Sequence, residues 1–226
     1  MEEKQNQNQN KKGKYISADE MISKMKIAFG NAKLPTILPE LEKLGYSKEK
    51  LNGFMEKLTE LEELSQNQKK EYAEQYAETE KFNKKRQEID ERYRRHLSLC
   101  KILFKGDLKA HTVLDLNVRR KNAYAAWFQQ VSNFYGQLLS NAELLTKVGT
   151  INIQPTDLEA QKAALTALST LKESQKKETS EAQKATEIRD EALDALYPIY
   201  AELVAYAKVL FHDDQTLEAL GIIVKR

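Results

Sequence analysis

Between Phe54 and Lys105 the chain contains neither glycine nor proline. Those residues most readily end a helix, so the stretch has no internal stop signal, and Ser47 before it can cap a helix start. Setting Leu51 as heptad position a and Phe54 as d carries one register, without a slip, through Leu58, Leu61, Ser65, Gln68, Tyr72, Gln75, Thr79, Phe82, Arg86, Ile89, Tyr93, His96, Cys100 and Leu103. The middle of this seam is polar. Two structures satisfy it: a single rod about 80 Å long at 1.5 Å per residue, or a helical hairpin whose solvated tip is the polar middle. The unbroken register and the lack of breakers favour the rod.

The behaviour returns later in the chain. Residues 158–214 slide over 51–107 without a gap, and the tetrapeptide Gln-Lys-Lys-Glu is identical at Gln68–Glu71 and Gln175–Glu178. Leu158, Leu165 and Leu168 open the second seam, Lys172, Gln175 and Thr179 weaken it, and Leu193, Leu196, Tyr200, Leu203, Ala207 and Leu210 restore it. Pro198 falls inside this stretch and is expected to kink it. After the first long stretch, Leu103, Phe104 and Asp107 match Leu210, Phe211 and Asp214, while Leu114, Leu116, Val118, Arg119 and Arg120 fall against Leu220, Ile222, Val224, Lys225 and Arg226. Charge-rich helices resemble one another through composition alone, but the order of residues here is not a helical repeat. The expectation is an all-α, elongated, coiled-coil-like bundle built by tandem duplication. Residues 1–15 form a polar tail, 16–120 a first helical repeat and 121–226 a second.

Local signals fill in the remaining elements. The Asn/Gln-rich tail buries too little apolar surface to offset the entropy of ordering it. Ser17 with Glu20 makes a capping box for a helix starting near Ala18, whose apolar face is Met21, Ile22, Met25 and Phe29. Pro39 opens a short helix closed by Gly45 in the left-handed region. Tyr124, Trp127, Phe128, Val131, Phe134, Tyr135, Leu138 and Leu139 give one helix the greatest aromatic density in the chain, running towards Gly149. There Leu145, Lys147 and Gly149 repeat Leu41, Lys43 and Gly45, followed by a loop three residues longer than its counterpart. Asp214 is the expected N-cap of a last short helix, with Gly221 after it.

Chemistry is harder to find. Lys plus Arg (36) nearly cancels Asp plus Glu (34), so no global field draws the chain to nucleic acid or to an anionic membrane. The sole cysteine, Cys100, excludes an intrachain disulfide and reads as a small buried filler in a reducing, cytoplasmic protein. No run of apolar residues is long enough to span a bilayer. There is no Glu-x-x-His pair of the kind di-iron bundles need, no phosphate-binding loop and no nucleophile elbow, so no catalytic residue, cofactor or metal is assigned. His212 with Asp213 and Asp214 reads better as helix capping than as a metal site.

The leading expectation is therefore a non-enzymatic helical protein acting through self-association into an oligomer or filament, or through scaffolding of a protein partner. Its interface candidates are Trp127, Phe128, Phe134, Tyr135, Arg119, Arg120, Lys225 and Arg226. The alternative is a nucleic-acid-associated protein using Lys84, Lys85, Arg86, Arg92, Arg94 and Arg95, although these are interleaved with Glu80, Glu88, Asp90 and Glu91 as on any solvated, ion-paired face. Third comes a ligand binder or enzyme with a pocket under the aromatic helix. An amphipathic pore former lacks the apolar insertion segment it would need.

Overall fold

The computed structural model describes residues 16–223. The polar tail and the candidates Lys225 and Arg226 lie outside the described residues. Among those described there are eight helices and no strand: α1 Ala18–Asn31, α2 Leu38–Glu42, α3 Lys48–Leu103, α4 Leu108–Val113, α5 Tyr124–Ser140, α6 Ala142–Gly149, α7 Pro155–Leu210 and α8 Asp214–Ala219. The two long stretches are single continuous helices of 56 residues each, not hairpins, and α7 runs on through Pro198. No seam position of α3 from Leu51 to Leu103 is exposed. The polar middle is only half-buried, which is why glutamine and threonine can occupy it without a desolvation penalty that water cannot relieve.

The chain falls into two compact units, Met1–Lys70 with Gln183–Arg226 and Glu71–Ala182. Each takes one part of α3 and one part of α7. In the first unit Met25, Ala28 and Phe29 of α1 meet Leu51, Phe54 and Leu58 of α3 and Leu203 and Ala207 of α7. The ring of Phe29 lies 5.4 Å from Phe54 and edge-on to Tyr200 at 6.4 Å. In the second, Ile89, Tyr93, Cys100 and Phe104 pack with Trp127, Val131, Phe134, Tyr135 and Leu138 of α5, Leu144 and Val148 of α6 and Leu158, Leu165 and Leu168 of α7. Each leucine, isoleucine, valine, phenylalanine or methionine side chain among them contributes about 1.5–3 kcal/mol when taken out of water.

The ends of α3 and α7 are closed by matching backbone devices. Both the first and last residues of α7 fall 107 positions after those of α3. Before them, Gly45 (φ 81°) and Asn152 (φ 61°) take the left-handed conformation, while Tyr46 N donates to Leu41 O and Ile153 N to Val148 O. After them, Phe104 N donates to Cys100 O and Phe211 N to Ala207 O, both at 2.9 Å, and both rings are buried. Asp107 then caps α4 through Ala110 N, as Asp213 caps α8 through Thr216 N.

Three local expectations change. The N-cap of α8 is Asp213, not Asp214. The left-handed residue before α7 is Asn152, not Gly149, so that turn keeps the spacing of its counterpart and is not three residues longer; asparagine tolerates the conformation better than other side-chain-bearing residues. The aromatic helix ends at Ser140, because Asn141 turns its side chain onto Glu143 N and Leu144 N (3.1 and 3.2 Å) and starts a separate helix. Ser17 does cap α1 through Glu20 N at 3.2 Å, and Gly221 takes φ 74°.

Candidate functional site

His96 occupies a d position of the α3 seam and is only 7% exposed. Its Nδ1 lies 3.2 Å from the Tyr135 hydroxyl of α5, with the two rings edge-on at 5.9 Å. Burial lowers its pKa, the positive charge of Arg92 and Arg95 acts in the same direction, and Asp157 opposes them; the ring is neutral at pH 7. Its edge lines a cleft of about 500 Å³ in the second unit, bounded by Arg92, Arg95 and Leu99 on α3, by the turn Ile151–Ile153 and by Asp157. The turn is held by buried Ile153, and Asp157 accepts from Gln154 N at 3.1 Å to cap the start of α7.

A second polar centre in this unit is closed. Asp90, 6% exposed, accepts from Arg120 Nε at 2.8 Å and Nη2 at 2.9 Å, from Trp127 Nε1 at 2.8 Å, and pairs with Arg94 at 3.1 Å. Burial alone would raise its pKa, but the hydrogen bonds from Arg120 and Trp127 and the two arginine charges outweigh it, so the carboxyl titrates below its ordinary value. Gln130 Oε1 accepts from Lys121 N at 3.0 Å beside it. With every acceptor position used, Asp90 is a clamp that pins the segment between α4 and α5 onto α3. It offers nothing to a substrate.

The sequence candidates distribute accordingly. Trp127, Phe134 and Tyr135 are buried in the second core and Phe128 is half-buried against it. Arg120 is held by Asp90, and Arg119 is exposed. Of the six basic residues, Arg86 donates to Asn122 O at 2.7 Å and lies 5.1 Å from the Trp127 ring, Lys85 pairs with Glu88 at 3.7 Å and Arg94 pairs with Asp90. Arg92 and Arg95 line the cleft, and Lys84 is exposed. Cys100 is buried, and burial pushes its thiol up to about 12, so it is an inert core residue at neutral pH.

Glu71, Glu74 and Glu178 bring carboxylate oxygens within 4.8 Å of one another. Lys177 lies 3.7 Å from Glu178, and no histidine or cysteine among the described residues joins the group. Carboxylates alone, one of them exposed, make a weak hard-cation surface and no closed coordination shell.

The fold and cleft thus define an all-α, two-unit chain in which two continuous 56-residue helices are shared between compact cores. No protein-family model, curated protein or solved structure matches it. No helix among the described residues is long and apolar enough to cross a membrane.

Proposed function

We propose that this is a non-enzymatic helical protein of a reducing compartment, descended from a doubled ancestral module, whose work is contact: self-association through like surfaces on its two halves. The observation that carries the reading is a pair of apolar side chains left in water at corresponding places. Ile102 on the last turn of α3 is 75% exposed, and Val209 on the last turn of α7 is 72% exposed. Leu108 after the first and Ile223 after the second are exposed as well. A chain carrying two like apolar patches can bind a second copy, closing into a dimer or extending as a filament according to the rotation between copies. The seam residues serve the chain's own cores, so association falls to these outer positions. The basic residues of α3 supply less support for a duplex-binding face, since three of them are already paired or packed within the chain.

Size-exclusion chromatography with light scattering tests this. A dimer or larger species is expected, converted to monomer by Ile102→Glu with Val209→Glu. A wild-type monomer at high micromolar concentration overturns it.

A further inference from the structure

We infer that the His96 cleft binds a small zwitterion with an aliphatic body, of the class of the free α-amino acids. Arg92 and Arg95 have no hydrogen-bonding or ionic partner among the described residues, although Glu88 and Glu91 lie four positions before them, the spacing at which helical ion pairs close. Glu88 meets Lys85 instead, and Glu91 accepts from Gln87 Nε2 at 2.9 Å. The cleft therefore holds two guanidinium groups apart from three carboxylates, the third being Asp157. A simple anion would face those carboxylates and a simple cation the arginines. A molecule with both charges satisfies each set.

His96 makes the site more than a charged surface. It is more than nine-tenths buried, its Nδ1 is occupied by Tyr135, and its Nε2 has no partner among the described residues. Burial raises the Tyr135 pKa, keeping the phenol protonated. In the tautomer in which that phenol donates to Nδ1, the ring proton sits on Nε2, where it can donate to a carboxylate held by the arginines. Leu99, Ile151 and Ile153 supply the apolar part of the lining.

The first unit shows what the same backbone does without this chemistry. At the offset that relates α3 to α7, His96 corresponds to Leu203, Arg92 to Ile199, Leu99 to Tyr206 and Asp157 to Lys50. There Tyr206 packs edge-on to Tyr46 at 6.0 Å and the Lys50 ammonium lies 4.7 Å over the Tyr46 ring, so tyrosine occupies the place that Leu99 leaves open.

The test uses the full chain, which has only three histidines, so that the imidazole signals can be followed by NMR. The probes are L-valine, 3-methylbutanoate, which lacks its amino group, and isobutylamine, which lacks its carboxylate. L-Valine is expected to shift the His96 signal, assigned through His96→Gln, saturably and at lower concentration than either fragment. Arg92→Ala with Arg95→Ala, both exposed positions, is expected to weaken binding about tenfold or more with the helical circular dichroism unchanged. An unmoved His96 signal, or a shift by 3-methylbutanoate as strong as that by L-valine, overturns the inference.

Discussion

Gln175 on α7 donates through Nε2 to the Thr79 hydroxyl on α3 at 3.2 Å, and Ser174 beside it donates to Glu78 at 3.2 Å. In the other unit the same residue types meet in mirror order, with Gln68 of α3 donating to Thr186 of α7 at 3.3 Å. These glutamines open the two copies of the tetrapeptide that recurs in the sequence. The polar middle of the seam is thus a specific hydrogen-bonded layer, the device by which paired helices fix register at a cost in stability.

Breaking one such layer should be measurable. Thr79→Val leaves the Gln175 amide without its acceptor and should cost about 1 kcal/mol, whereas Thr79→Val with Gln175→Leu should recover most of that loss. Urea denaturation of the four-member cycle is expected to give a coupling of about 0.5–1.5 kcal/mol. Simple additivity would mean that the bond contributes nothing.

Asp90→Asn removes the charge that holds Arg120 and Arg94. It should destabilise the protein by about 2–3 kcal/mol, below the full cost for a buried pair because Arg120 is partly solvated. The pH dependence follows from the lowered carboxyl pKa: the stability it adds is complete above the unfolded-state value of about 3.9 and is lost as pH falls through the folded-state value. Thermal melts of the wild type should therefore fall more steeply with acid below about pH 4 than those of Asp90→Asn.

His96 titrates in a different window. Its folded-state pKa is lowered, chiefly by burial, so the unfolded chain takes up a proton first and stability declines as pH falls below about 6.5. Tyr135, Arg92, Arg95 and Asp157 are the groups facing it. His96→Leu, the residue at the corresponding place on α7, should remove that decline. Calorimetric melts across that range decide it.

Cys100 should resist a thiol reagent in the native protein at pH 7 and react at once in denaturant, since burial both shields the sulfur and suppresses the thiolate. Rapid native labelling followed by Ellman's reagent would contradict the buried position.

Much of the helical frame is legible without coordinates. The heptad register from Leu51 to Leu103 marks the buried face of α3, and Ser17, Gly45 and Gly221 mark ends through local chemistry alone. What periodicity cannot give is a partner. It places Trp127 on an apolar face, but not its indole on Asp90, which lies on another helix and at a heptad e position that reads as solvated. The cleft is equally hidden, because His96 and the turn Ile151–Ile153 are brought together only by packing, and its arginines look like any charged helix face until their failure to pair is visible. Asn141 escapes notice for a different reason: its side-chain cap ends a helix that the apolar pattern alone would carry on.

Since the second compact unit spans one uninterrupted stretch of chain while the first needs segments from both ends, the order of synthesis separates them. The 71–182 core can close while the remainder is still being made. Leu51, Phe54 and Leu58 must wait for Leu203, Ala207 and Leu220 to emerge. Helices α1 and α2 and the part of α3 before Glu71 are made before that core yet are sheltered after it, and during that interval they are the ones a chaperone or a protease would meet.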